Sequence, residues 1–169
     1  MTVISTERDT ENLTLTFVTE FAAPPRRVWQ VWEDPRQLER WWGPPTWPAT
    51  FDSHDLGVGS QSAYYMTGPN GEKAHGWWRI TLVDAPTRLE FDDGFSDDDG
   101  VPSEGMPVTR TVVELEPVAV AGADGTRMTV VSHFASVEQL EQLVEMGMQE
   151  GMQQALGQID AILSGSPAA

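Results

Sequence analysis

The strongest constraint on the fold is one long amphipathic segment at the end of the chain. Ser136-Val137-Glu138-Gln139 matches a capping box, in which a serine hydroxyl and a glutamine side chain each satisfy a free backbone amide at a helix start. From there to Ile162, apolar residues recur every three or four positions. This spacing predicts one continuous helix over residues 136–163, about 40 Å long, with one apolar face.

The segments before this helix have the two-residue periodicity of strands. Leu13 to Phe21 alternates between apolar and polar side chains. Pro24-Pro25 and Asp34-Pro35 then predict two short helices, since proline favours the first helical turn. The acidic stretch 92–106, rich in glycine and aspartate, predicts a mobile loop. Six further strands are predicted over residues 49–55, 60–67, 75–84, 87–92, 107–116 and 126–134.

This order predicts an α+β fold, with a curved antiparallel sheet of six to seven strands wrapped around the long C-terminal helix. The apolar face of such a sheet needs a cover, which one amphipathic helix supplies. Because a large sheet twists, it cannot lie flush against a straight helix, and the gap holds large side chains or a ligand. We expect residues 1–12 to be a flexible tail, 13–164 a single domain and 165–169 a second tail.

Composition narrows the function classes. Twenty-six acidic and ten basic residues give a net charge of −16, which repels nucleic acid and anionic lipid. No apolar run reaches the roughly 18 residues of a membrane span, so no membrane insertion is predicted. The N-terminus lacks a leader pattern and there are no cysteines, so a cytoplasmic location is expected. No cofactor and no metal site are predicted, since the histidines lack ligand spacing and the acidic stretch fails the calcium-loop pattern.

Four blocks of sequence resemble the START-like, or SRPBCC, superfamily, and within it the relatives of the activator of the heat-shock-protein-90 ATPase. The resemblance implies a helix-grip fold with a hydrophobic ligand cavity. Ser62 stands where the family often has a tryptophan, and Leu56-Gly57 where a leucine-arginine pair is common. The smaller Ser62 is expected to leave a larger or differently shaped cavity. The blocks are FAAPPRRVWQVWEDPRQLERWWGP (21–44), DLGVGSQSAYYMTGPNG (55–71), GTRMT (125–129) and GMQEGMQQALGQIDAIL (147–163).

Strand parity and helix spacing select candidate cavity walls. Each residue alone fits ordinary core, but a set rich in tryptophan and methionine favours an adaptable apolar cavity. Phe95 is a candidate to close over the cavity mouth. Gly147 and Gly151 inside the predicted helix indicate either close packing of a strand or room for a ligand. The candidate ligand residues are Trp32, Trp41, Ser62, Tyr64, Met66, Trp78, Phe91, Phe95, Met128, Phe134, Met148 and Met152.

Three functions remain open at this point. The first is binding of a small apolar ligand between the last helix and the sheet. The second is a cyclase- or hydrolase-like enzyme that acts on an aromatic or polyketide-type substrate, with Tyr64, Arg79 or a buried carboxylate as acid or base. The third is a cochaperone-like interaction module, although the extra N-terminal domain of the chaperone activators is not expected here. A homodimer through an exposed tryptophan patch is also possible.

Overall fold

A computed structural model describes residues 3–164, which form one antiparallel sheet and a set of helices on one face of it. The elements are β1 (Val3–Asp9), β2 (Thr14–Phe21), α1 (Pro25–Glu33), α2 (Pro35–Leu38), β3 (Ala49–Ser53), β4 (Gln61–Thr67), β5 (Lys73–Asp84), β6 (Arg88–Phe95), β7 (Val108–Val120), β8 (Ala123–His133), α3 (Val137–Glu145), α4 (Met148–Leu156) and α5 (Ile159–Leu163).

The sheet has the strand order β1-β2-β8-β7-β6-β5-β4-β3, and every neighbouring pair is antiparallel. Arg27 of α1 donates to the Ile162 carbonyl oxygen of α5 at 3.1 Å, and all five helices contribute side chains to one core, so they cover the same face of the sheet. The predicted helix-grip fold is confirmed.

The N-terminal segment corrects the predicted strand count. Residues 3–9 were expected to be part of a flexible tail, but they form β1 and pair with β2, so the sheet has eight strands rather than six or seven. An edge strand has one unpaired side and is often polar, which hides it from a search for alternating apolar residues. The predicted tail at 165–169 lies outside the described residues.

Both short helices begin where proline predicts. Pro25 is the first residue of α1 and Pro35 the first of α2, so each missing amide falls where no helical partner exists. The side chain of Asp34 caps α2 by accepting a hydrogen bond from the Arg36 amide at 2.9 Å. The apolar side of α1 buries Val28, Trp29, Val31 and Trp32.

The C-terminal helix starts as predicted but is not continuous. Ser136 Oγ accepts a hydrogen bond from the Gln139 amide at 3.1 Å, and Gln139 Oε1 accepts one from the Ala135 amide at 3.0 Å. The helix then breaks after Met146, because Gly147 has a φ of +94°, and again around Gly157. The prediction of one helix over 136–163 is therefore wrong: α3, α4 and α5 follow one another instead.

The two glycines of this region have different roles. A Cβ added to either Gly147 or Gly151 would meet no atom within 4 Å, so close packing of a strand explains neither of them. Position 147 favours glycine because the backbone there is left-handed. Gly151 lies inside α4, where glycine is unfavourable by about 1 kcal/mol relative to alanine, and it opens into free space.

The different roles of these glycines can be separated by substitution. Gly147→Ala is expected to lower the free energy of unfolding by about 1 kcal/mol, because a Cβ is strained at positive φ. Gly151→Ala is expected to raise it by up to about 1 kcal/mol, because alanine is the better helix former. Urea denaturation measures both, and equal effects of the two substitutions would contradict the assignment.

Candidate functional site

One end of the concave face is filled by the protein's own aromatic rings. Trp78 stacks on Phe91 with ring centroids 4.0 Å apart, and Trp42 meets Trp78 edge-on at 4.8 Å. Trp32 and Trp41 complete this aromatic cluster, with centroids 4.7 Å apart. All five side chains are buried and belong to the hydrophobic core.

Next to this cluster, and bordered by its Trp42, the same face is open beneath α4 and forms a pocket of about 500 Å³. The sheet supplies one wall, the segment after α2 a second, and α3 and α4 the roof. Its lining includes Trp42, Trp47, Tyr64, Met66, His75, Asp93, Phe95, Thr109, Leu143, Met146, Met148, Gly151, Met152 and Ala155.

Five of the predicted cavity residues line this pocket: Tyr64, Met66, Phe95, Met148 and Met152. The other seven are buried in the packed core and do not line the pocket, so their placement as cavity walls is corrected. These side chains pack against other protein side chains and do not border free space. These seven are Trp32, Trp41, Ser62, Trp78, Phe91, Met128 and Phe134.

Ser62 does not line this pocket, so the larger or differently shaped cavity expected from its small side chain is not found beside it. His54 occupies the space beside it, with Nδ1 2.8 Å from Ser62 Oγ and Nε2 2.8 Å from the Trp32 carbonyl oxygen. Because that carbonyl can only accept, Nε2 carries the proton and Ser62 Oγ donates to Nδ1. Burial lowers the pKa of His54, which favours this neutral form.

A carboxyl group is the chemically distinctive feature of the pocket. Asp93 lies on the inward face of β6, beside Trp78 of β5 and Thr109 of β7. Tyr64 donates its hydroxyl to Asp93 Oδ1 at 3.1 Å. Burial raises the pKa of Asp93 to about 7, although the hydrogen bond from Tyr64 acts in the opposite direction. The Asp93 carboxyl therefore changes charge near neutral pH.

The position of Tyr64 depends on a glycine in the neighbouring strand. Gly76 lies opposite Tyr64, and a Cβ there would overlap the Cζ atom and the hydroxyl of the tyrosine ring. Phe51 stacks on the other side at 4.9 Å. Burial, followed by the charge of Asp93, raises the pKa of Tyr64 well above its ordinary value, so the hydroxyl remains a donor.

Sequence reasoning missed Asp93 because it assigned residues 92–106 to a mobile acidic loop. The structure extends β6 to Phe95, so Asp92 and Asp93 are strand residues with side chains on opposite faces. The sequence signal that indicates the longer strand is the alternation of apolar residues from Leu89 through Phe91 to Phe95. The position of Phe95 at the strand end also corrects its placement inside the loop, and its closure over the mouth stays a prediction.

His75 borders the pocket, but its side chain lies on the outer face of β5, because Gly76 and Trp78 of this strand face inward. His75 Nε2 lies 3.5 Å from Asp98 Oδ1, which projects from the loop after β6 and is 96% exposed. The Tyr65 ring packs beside His75 with centroids 5.6 Å apart. Asp93 and Tyr64 are therefore the ionisable side chains that face the pocket, and the lining contains neither lysine nor arginine.

The expected exposed tryptophan patch is absent from residues 3–164. Six of the seven tryptophans are buried, and Trp47, at the pocket, is partly buried. Over the same residues no helix has the length and apolarity of a membrane span, and no three His, Asp or Glu side chains gather as metal ligands. The predicted absence of metal and cofactor stays a prediction.

A sheet that holds its C-terminal helices over a pocket defines a START-like helix-grip protein. A sequence profile described as "Activator of Hsp90 ATPase homolog 1-like protein" matches residues 22–164. The chain belongs to this family, as its sequence resemblance indicated. No curated protein matches it significantly.

Solved structures of bacterial proteins support the same assignment. An Arthrobacter aurescens protein is 54% identical, with 99% of this chain and 95% of that chain covered and a TM-score of 0.90. A Mycobacterium smegmatis protein is 47% identical over 97% of this chain and 98% of that one, with a TM-score of 0.86. A Nitrosomonas europaea protein is 25% identical over 96% and 100%, with a TM-score of 0.78.

The raised pKa of Asp93 predicts a pH-dependent effect of Asp93→Asn. The folded state holds the Asp93 proton up to a pH of about 7, whereas the unfolded chain releases it near 3.8. Stability is therefore lost as pH rises between these values. Asp93→Asn should raise the free energy of unfolding by on the order of 1–3 kcal/mol above pH 7 and have no such effect below pH 4.

Chemical denaturation at pH 4, 6 and 8 measures this difference. Asp92→Asn is the matched control, since it removes one charge from the outer face of the same strand. A gain for Asp93→Asn that is equal at all three pH values, or equal to that of Asp92→Asn, would show that burial does not hold the Asp93 proton.

Proposed function

We propose that the protein binds a small, largely apolar molecule in the pocket beneath α4. The observation that carries this proposal is the combination of a 500 Å³ pocket with a helical glycine in its lining, Gly151, at which an added Cβ would meet no atom within 4 Å. The volume lies in the range of small-molecule sites, which is about 300–1,000 Å³. Glycine lowers the stability of a helix relative to alanine, and no packing contact at position 151 explains its presence there.

The chemistry of the lining supports the same proposal. Met66, Met148 and Met152 surround the space with flexible side chains that adapt to different shapes. Tyr64 and Asp93 add a small polar group to the apolar wall. Sites of this kind bind the apolar body of a ligand by burial and fix its orientation through one or two polar contacts.

A second candidate function is proton transfer on the bound molecule. Asp93 supports it, because a carboxyl with a pKa of about 7 is suited to act as a general acid or base near neutral pH. Arg79, the other candidate, is exposed and away from the pocket lining, so it has no part in this reading. A substrate turned over by the native protein but only bound by Asp93→Asn would establish catalysis.

The cochaperone role, the homodimer and the cellular location are supported by fewer features of the molecule. A cochaperone-like interaction rests on the family relationship alone, and the tryptophan patch that favoured a homodimer is not exposed. The cytoplasmic location also stays a prediction.

Thermal unfolding in the presence of ligands tests the binding proposal. Fatty alcohols, polyketides and aromatic metabolites of suitable size should include compounds that raise the melting temperature, because they bind only the folded state. A ligand at about 100 times its Kd adds about 2.7 kcal/mol. Gly151→Leu should abolish this stabilisation, since the leucine side chain enters the pocket, and should leave the fold intact.

Gln154→Leu is the matched control, because it places the same side chain on the exposed side of α4. Stabilisation that persists in Gly151→Leu, or that is lost equally in Gln154→Leu, would remove the pocket as the binding site.

A further inference from the structure

We infer that the pocket selects its ligands by charge: it accepts amphipathic molecules that carry a protonated amine, places the ammonium group against Asp93, and rejects anionic amphiphiles such as fatty acids. This inference rests on the proposed function and names the class of its ligand. It is carried by the charges of the lining, the free acceptor on Asp93 and the surrounding aromatic rings.

The lining offers an anion no compensating charge. Asp93 is its one carboxyl, and neither lysine nor arginine lines the pocket. The side chain of His75 lies on the outer face of the sheet, 3.5 Å from the carboxylate of Asp98, and does not reach into the pocket. A ligand carboxylate would leave water, meet no cation, and lie beside a like charge, which is unfavourable in each respect. The net charge of −16 adds a repulsive field of the same sign.

The carboxyl of Asp93 has one oxygen available to a ligand. Oδ1 accepts the hydrogen bond from Tyr64. Oδ2 accepts no hydrogen bond from any of residues 3–164, and the side chain is in the pocket wall and partly exposed. An ammonium group has three donors and no acceptor, so it matches this oxygen in both charge and hydrogen-bonding type.

The remaining surroundings suit an amphipathic cation. Trp42, Trp47 and Tyr64 line the same pocket, and aromatic rings attract ammonium groups through their quadrupole. The helices contribute apolar side chains, among them Met148 and Met152, which suit an alkyl or aryl body. The ammonium group would therefore contact the sheet wall and the apolar body would lie under α4.

The site couples binding to pH in a defined direction. Tyr64 of β4 is the ionisable group that faces Asp93 in the pocket, since the side chain of His75 lies on the outer face of β5. The strand β7 contributes the neutral Thr109, and the helices contribute apolar residues. A bound ammonium stabilises the charged carboxylate. Amine affinity should therefore increase as pH rises from 6 to 8, where the carboxyl loses its proton and a primary amine keeps its own.

Three ligands with the same chain test this inference: octylamine, 1-octanol and octanoate. Their affinities are measured by calorimetry at pH 6 and 8 in 150 mM salt for the native protein, Asp93→Asn and Asp92→Asn. The native protein should bind octylamine about tenfold more tightly than 1-octanol at pH 8, less so at pH 6, and octanoate most weakly. Asp93→Asn should lose the preference for the amine and retain 1-octanol, whereas Asp92→Asn should keep the preference.

Each outcome separates the charge preference from the binding proposal. If 1-octanol binds and Gly151→Leu blocks it, but octylamine binds no better or keeps its advantage in Asp93→Asn, the charge preference is wrong and the proposed function stands. If octanoate binds as tightly as octylamine, the charge preference is likewise wrong. If none of the three binds, both the inference and the pocket as a site for such chains are overturned.

Discussion

Aromatic packing at one end of the sheet is the interaction on which the rest of the structure depends. Trp78 and Phe91 stack on the concave face, and Trp32, Trp41 and Trp42 from α1 and the segment after α2 close over them. These rings fill the curvature of the sheet with the chain's own side chains. The space left between the twisted sheet and the helices lies next to these rings, beneath α4, where Trp42 borders it.

The pocket keeps its shape because several separate contacts hold α4 above the sheet. The left-handed Gly147 changes the chain direction after α3, so α4 does not continue its line. Gln153 then donates to Thr6 Oγ1 of β1 at 2.9 Å, and Gln158 donates to the Gly43 carbonyl at 2.8 Å. Both anchors lie on the C-terminal side of Gly151 and hold that end of α4 against β1 and the segment after α2. The edge strand β1 is thus a support for the roof of the pocket as well as a cover for β2.

Features that depend on residues close together in the sequence were predicted, whereas features that depend on residues far apart in the sequence were missed. The cap at Ser136 depends on residues within one turn, so it could be read from sequence, whereas the break at Gly147 could not, because the apolar periodicity continues across it. The Tyr64–Asp93 contact joins residues 29 positions apart and depends on the register of three strands. The periodicity of apolar residues shows which side chains face inward, but it does not distinguish a pocket wall from packed core. Met128 and Met148 were therefore both assigned to the cavity.

The distribution of free space is tested most directly by methyl NMR of ¹³C-methionine-labelled protein with benzene as a small apolar probe. The methyl groups of Met66, Met148 and Met152 line the pocket, whereas Met128 is fully buried with its sulfur 3.3 Å from Trp32 Nε1. Addition of benzene should shift the first three resonances and leave that of Met128 unchanged. A shift at Met128 with none at Met148 and Met152, or no shift at saturating benzene, would contradict a pocket beneath α4.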